Sequence, residues 1–182
     1  MRYPCGGVGE LPPHSGAWFT KPLKNPAGMG IGARRNVYVA RPGPGWARPI
    51  AEDAMWMPVF HGEHLSVDFQ RGRRGAWRQR LTVRCVYDVA RARPARWHVE
   101  RRTVAVPEPL RGIDSEWLNV ELIGGRVIEV HWRRNSDFDH APPATKVARV
   151  VWADQPRPND MVADYDDADG QLPIARCGFV YL

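Results

Sequence analysis

The side chains with the most chemical capacity in this sequence cluster between Asn119 and Arg133, in the run NVELIGGRVIEVHWR. Two apolar-alternating stretches flank a Gly-Gly pair there, which is the pattern of a β-hairpin. Leu118, Val120 and Leu122, then Ile128, Val130 and Trp132, make a face suited to a core. The other parity carries Asn119 and Glu121, then Glu129, His131 and Arg133, so one face gathers two carboxylates, an amide, an imidazole and a guanidinium. An ordinary hairpin with a solvated charged face shows the same alternation. The register decides whether the carboxylates can share a metal. If Gly124 and Gly125 form a plain two-residue turn, Glu121 falls opposite Ile128 and the two carboxylates point to opposite faces. A three-residue loop, or a bulge with the same effect, pairs Glu121 with Glu129 and Asn119 with His131. It also keeps both apolar sets on one side, whereas the plain turn would bury one strand's charges at several kcal/mol for each unpaired ion. The converging register is therefore expected.

A second group lies far upstream. Ala17 to Pro22, AWFTKP, reads as a short strand: its aromatics and Thr favour extended backbone, and Lys21, preceding a proline, is pushed toward the β region. Asn25 to Arg35 follows, NPAGMGIGARR, with Gly28, Gly30 and Gly32, and then the strand-like Val37, Tyr38 and Val39. Alternate glycines let a backbone turn tightly and bring its N–H groups against an anion. The loop joins two strands and has neither the Walker spacing nor the dinucleotide fingerprint. A flexible hairpin connection is the commoner meaning of such a loop, and a lysine just before it strengthens the phosphate reading.

The elements that must position these groups are mostly short strands. Residues 1 to 16 form a Gly- and Pro-rich arm, and a helical turn is expected around Arg48 to Ala54. Met55 to Phe60, MWMPVF, reads as a buried strand interrupted by Pro58. In His61 to Phe69, HGEHLSVDF, Leu65, Val67 and Phe69 face one way and His64, Ser66 and Asp68 the other. Trp77 to Tyr87 alternates again, so residues 63 to 88 read as a hairpin closed by Arg71, Arg73 and Arg74. Trp97 to Val106, Lys146 to Trp152 and Ile174 to Leu182 are further strands. Asp160 to Gly170, DMVADYDDADG, reads as a solvated acidic turn, since its glycine is misplaced for a calcium loop and no glutamate closes it.

At 182 residues the chain is long enough for a sizeable core, and 17 Pro with 17 Gly imply many turns and few long helices. Lys and Arg exceed Asp and Glu by 26 − 20 = 6, which favours anionic partners. Nearly all of that charge is Arg, suited to planar contacts with phosphate or carboxylate. Cys5, Cys85 and Cys177 show no metal-ligand spacing, which indicates a reducing compartment without structural zinc. No apolar run has signal-peptide or membrane-spanning length, so a cytoplasmic protein is expected.

Taken in order, several of these stretches resemble the ATP-grasp superfamily. FTKP with NPAGMGIGARR looks like its lysine strand and phosphate-covering loop, MWMPVF like its adenine hinge, and GEHLSVD like the strand that follows. NVELIGGRVIEVHWR resembles its metal-binding hairpin. The resemblance runs from about Ala17 to Asp139. It implies an α+β, β-rich fold: two small lobes of antiparallel sheet with few short helices and a nucleotide cleft between them. Residues 17 to 60 would form the lysine-strand, loop and hinge lobe, 61 to 139 the metal-binding lobe, and 140 to 182 strands completing the sheet, all within one domain.

The resemblance also implies roles. Lys21 would hold ATP phosphates, with Gly28, Gly30 and Gly32 folding over them. Met57 and Val59 would present backbone groups to adenine, with Trp56 alongside and His64 counted among the cofactor-binding residues. Glu121 and Glu129 would ligate Mg2+, and Arg133 would stabilise charge on the phosphoryl group in flight. The implied activity is that of an ATP-dependent ligase, which activates a carboxylate as an acyl phosphate for attack by an amine or similar nucleophile. His131 stands where the family shows Asn, so either Mn2+ is used, His131 bonds a phosphate, or Asn119 or Asn135 supplies the oxygen. Trp56 replaces the glutamate often seen at the hinge. The domain that usually precedes the lysine strand is missing, so a homo-oligomer or a partner supplying it is expected, beside small carboxylate and amine substrates.

Two other readings accompany this one. The first is a nucleotide-binding relative without catalysis, favoured if His131 abolishes metal binding. The second is a basic β-rich nucleic-acid module, with Arg71, Arg73, Arg74, Arg78, Arg80, Arg84, Arg91, Arg93 and Arg96 interleaved with Trp77 and Trp97. A solvated basic face is the commoner meaning of such a run, so nucleic acid is not the expected partner.

Overall fold

The computed structural model describes residues 5–7, 15–23, 34–38, 54–88, 93–163 and 176–182. The chain divides into two units, Met1–Phe60 and His61–Leu182. Gly28, Gly30 and Gly32, the helical turn expected before Ala54, Arg91 and most of the acidic segment lie outside the described residues.

In the first unit, β1 (Gly16–Pro22), β2 (Arg34–Tyr38) and β3 (Ala54–Pro58) form an antiparallel sheet in the order β2-β1-β3. Lys21 pairs with Met55, Thr20 with Trp56 and Phe19 with Met57. Partners across a ladder share a face, so Lys21, Met55 and Met57 lie on one side and Trp18, Thr20 and Trp56 on the other. Trp18 and Trp56 are buried and meet edge to face at 4.9 Å between centroids. A bridge from Gly6 to Trp56 extends this edge of the sheet.

The second unit is built on one antiparallel sheet. Its strands are β4 (His64–Arg71), β5 (Trp77–Asp88), β6 (Arg93–Val99), β7 (Trp117–Ile123), β8 (Arg126–His131), β9 (Val147–Trp152), β10 (Val162–Ala163) and β11 (Arg176–Tyr181). They run in the order β10-β11-β9-β6-β5-β4-β7-β8. The β4–β5 hairpin is closed at Gly72 to Gly75, where the amide of Gly75 donates to the Gly72 carbonyl at 2.8 Å. The few short helices expected reduce, among the described residues, to single 3-10 turns at Glu108–Leu110 and Ser136–Phe138.

The apolar face changes sides across this sheet. Leu65, Val67, Phe69, Leu118, Val120 and Leu122 form one core cluster, over which Val104, Val106 and Leu110 pack. Val67 pairs with Thr82 and Ser66 with Val83, so the apolar positions of β5 face the opposite way from those of β4. A second cluster therefore lies on the other face: Val83, Cys85, Trp97, Ala148, Val150, Trp152 and Phe179. All positions of β4 from His64 to Phe69 are buried, because one parity belongs to the first core and the other to a polar network.

Two expectations change. The strand read as Trp97 to Val106 begins earlier and ends at Val99. Beyond it, Glu100 still donates to the Thr82 carbonyl and Val104 to the Gln79 side chain, but the chain leaves the ladder to place Val104 and Val106 on the first core. Trp132, expected on the core face, is 62% exposed, and Val127 rather than Ile128 packs on that core beside Val130. A bulge in β8 causes the exchange of Ile128 for Val127.

Candidate functional site

The hairpin of β7 and β8 turns on Gly124 and Gly125, at φ of 56° and 76°, the left-handed pair that a tight hairpin turn requires. Ile123 pairs with Arg126 and Leu122 with Val127, but Glu121 then pairs with Glu129 and Asn119 with His131. Ile128 is the extra residue. A plain two-residue turn and the converging register thus coexist, because one bulge resets the parity after the turn. The apolar sets of both strands stay on the first core, and the polar sets share the other face.

That face is a network with a buried floor. Asn119 Nδ2 donates to Ser66 Oγ and to Asp68 Oδ1, both at 2.8 Å. The backbone amide of Asn135 donates to Asp68 Oδ1 at 2.8 Å, and Asn135 Nδ2 donates to Ser66 Oγ at 3.2 Å. Asn135 also caps the following 3-10 turn by accepting from the Asp137 amide at 2.9 Å. Arg176 of β11 pairs with Asp137 at 3.1 Å, and Tyr181 Oη donates to its carbonyl at 2.8 Å. The chain after β8 is thereby strapped back across the sheet. Burial pushes the Asp68 carboxyl up to about 6, against the opposing effect of the Asn119 and Asn135 donors.

Above this floor, Glu121, Glu129 and His131 remain about a fifth exposed. His64 Nε2 lies 3.1 Å from Glu121 Oε2, and His64 Nδ1 lies 2.7 Å from Tyr87 Oη. An ionised carboxylate only accepts, so Nε2 carries the proton and Nδ1 accepts the tyrosine hydroxyl. His64 is buried, edge-on to Trp97 and stacked with Tyr87. His131 Nε2 stands 3.4 Å from Glu129 Oε1. Each carboxylate thus has an imidazole beside it.

The structure brings together Glu121, Glu129, His131 and His64. It does not bring the Asn119 amide to the accessible side: Asn119 is 2% exposed and its nitrogen is committed to Ser66 and Asp68. Asn135 is committed in the same way, so neither amide is placed to replace the missing family Asn. His64, counted with the cofactor-binding residues, sits behind Glu121 instead. Arg133 is exposed and donates to the Arg134 carbonyl and Ser136 Oγ, each at 3.0 Å. Lys21, Met57 and Val59 belong to the first unit, where Trp56 faces away from Lys21 and packs on Trp18. Sequence reasoning missed Tyr87 and the Asn135–Asp137 strap. The alternation of His64, Ser66 and Asp68 was the available signal for the floor, and the Asn-Ser-Asp cap pattern the signal for the strap.

Two carboxylates with oxygen donors turned to one accessible side fit Mg2+ or Mn2+, which take one or two carboxylates and complete their shell with water and phosphate oxygens. Among the described residues no three His, Cys, Asp or Glu side chains are arranged to hold a metal by themselves. Three arginines of the basic run are ion-paired: Arg71 with Asp114, Arg84 with Glu100 and Arg93 with Asp154. No helix among the described residues is long and apolar enough to cross a membrane.

No protein-family model matches the chain, and no curated protein does. Among solved structures it is similar to a protein of Archaeoglobus fulgidus described as a candidate member of the ATP-grasp superfamily, with a TM-score of 0.52 and 13% identity. The match covers 97% of this chain and 58% of the other, so this chain spans little more than half of that protein's length. The likeness is one of fold.

Proposed function

We propose, from the premise of an ATP-grasp-like fold, that this chain binds ATP with Mg2+ or Mn2+ and activates a carboxylate as an acyl phosphate for attack by an amine or similar nucleophile. The observation that carries this reading is the pairing of Glu121 with Glu129. Like charges directly opposite one another across a ladder destabilise it, and a divalent cation held by both would remove that cost. When bound, the metal supplies charge neutralisation to the phosphoryl oxygens.

The chain's own residues do the rest of the positioning. Glu121 and Glu129 hold the cation, and His64, fixed by Tyr87, orients the Glu121 carboxylate. Lys21 and Arg133 neutralise phosphate charge, and the backbone of Gly28, Gly30 and Gly32 covers the phosphates. Met57 and Val59 offer backbone groups to the adenine. Trp56, spent on the Trp18 contact, has no part in this reading. The substrates are a small carboxylate and an amine.

One observation favours a second reading, nucleotide binding without turnover: His131 lies against Glu129 where the family pattern has an oxygen donor. Both readings require binding. ATP with Mg2+ or Mn2+ is expected to raise the melting temperature, and ligand at about a hundred times its Kd adds roughly 2.7 kcal/mol. Absence of a shift with every adenine and guanine nucleotide, with and without metal, sinks both. Lys21→Ala should weaken the nucleotide effect in a folded protein, while an unfolded variant would make Lys21 structural. ATP-dependent trapping of acyl phosphates by hydroxylamine, across a set of carboxylates, separates ligase from idle binder.

A further inference from the structure

The large sheet carries a second polar group on the face opposite Glu121 and Glu129. On β6, Arg96 pairs directly with Arg149 of β9, and His98 pairs with Arg84 of β5 and Val147 of β9. Partners across the ladder and residues two apart along a strand share a face, so Arg84, Arg96, His98 and Arg149 lie together. Val83 pairs with both Ser66 and Val99, which puts the odd positions of β6 on the Glu121 side and Arg96 and His98 on the other.

Arg84 is answered by Glu100 at 2.7 Å and Glu63 at 3.9 Å. Arg96 and Arg149 differ. Neither has a hydrogen-bond or ion-pair partner among the described residues. Arg96 is exposed and Arg149 and His98 are half-buried; the β6–β9 ladder is regular from His98 to Arg96 and ends on the arginine pair, and the β5–β6 irregularity falls only beyond Arg96. Two like charges held opposite each other in a regular ladder cost stability. An anion bound by both would reverse that cost.

We propose that Arg96 and Arg149, with His98 beside them, form a binding site for a phosphate monoester. Each guanidinium presents its donors as a planar fork, so the pair offers more N–H groups than the two oxygens of a carboxylate can accept. A terminal phosphate offers three oxygens, and its dianion balances two guanidinium charges. A phosphodiester has two free oxygens and one charge, and matches less well. The site is separate from the proposed nucleotide site and does not depend on it.

The test uses the full chain at fixed ionic strength set with sodium chloride. Inorganic phosphate and phenyl phosphate are titrated while the Nε–H signals of the arginines are followed by proton–nitrogen correlation spectra. Saturable shifts of the Arg96 and Arg149 signals are expected, with little response to dimethyl phosphate. Arg96→Gln and Arg149→Gln should each weaken phosphate binding at least tenfold, and Arg149→Gln should raise the phosphate-free melting temperature by removing the repulsion. Arg73→Gln and Arg74→Gln, on the exposed β4–β5 turn, should leave the affinity unchanged. Phosphate affinity that survives Arg96→Gln and Arg149→Gln, or that falls equally with the turn variants, would overturn the site. So would shifts that fail to saturate. Dimethyl phosphate or a single-stranded oligonucleotide binding as tightly as phenyl phosphate would overturn the choice of a monoester.

Discussion

Asp68 has a carboxyl held at about 6 against an ordinary value of 3.8, a difference that corresponds to about 3 kcal/mol against its charged form. A folded-state value above the unfolded one means that the folded chain binds the extra proton between roughly pH 4 and pH 6. Stability from this group is therefore full below that window and falls as pH rises through it. Asp68→Asn retains an oxygen for the Asn119 and Asn135 donors without the buried charge. It should gain about 1–2 kcal/mol at pH 7 in urea unfolding and lose the slope between pH 4 and pH 6. An unchanged slope would mean that the titration lies elsewhere. Tyr87→Phe acts on the proposed metal site through one hydrogen bond, since it frees His64 Nδ1 and loosens the ring that holds Glu121. Roughly tenfold more Mg2+ should then be needed for half of the nucleotide-dependent stabilisation, with the metal-free melting temperature little changed. Of these residues the sequence displayed the type and the parity. It did not display that Ser66, Asp68 and Asn119 are sealed rather than solvated, because burial of the polar parity depends on the strap from Asn135 to Asp137 and on β11, elements distant in the chain.

At the scale of elements, the β7–β8 hairpin was legible where a physical conflict forced one answer. Burying the carboxylates was too costly, so the two polar sets had to converge, and they do. How they converge was less legible, since a longer loop and a bulge satisfy the same pattern. The choice follows from what touches the turn. A Cβ on Gly124 would meet the His61 carbonyl oxygen at 2.2 Å, whereas one on Gly125 meets nothing within 4 Å. Gly124 also donates to the Glu63 carbonyl at 3.0 Å, which fixes the tight turn against the entry to β4. Gly125→Ala should cost about 1 kcal/mol for its left-handed backbone alone, and Gly125→Asn less. Gly124→Ala should cost several times as much, because backbone must move. Equal losses in urea unfolding would show that the turn is not seated on His61. The strand misread as Trp97 to Val106 failed for a related reason: alternation continues past Val99, but the ladder partner does not.

For the whole molecule, among the described residues, both core clusters lie within His61–Leu182, as does a smaller one of Val151, Cys177 and Val180. That segment alone should unfold in one cooperative transition, seen alike by far-ultraviolet circular dichroism and tryptophan fluorescence. Divergent transitions would mean that the two core faces are not one cooperative unit. Net charge and composition bounded the class of partner but could not distinguish a dispersed basic face from paired arginines, because pairing depends on strand order. Strand order also produces the switch of the apolar face between β4 and β5, and with it a pattern of inheritance. A strand with one wet face drifts at every second position. β4 has no such freedom from His64 to Phe69, because Leu65, Val67 and Phe69 answer to one core while His64, Ser66 and Asp68 answer to the polar floor. Across a library of all single substitutions, those six consecutive codons should be the longest unbroken intolerant run in the larger unit, while in β5, where Thr82 and Val83 are buried in succession, no such run should exceed two.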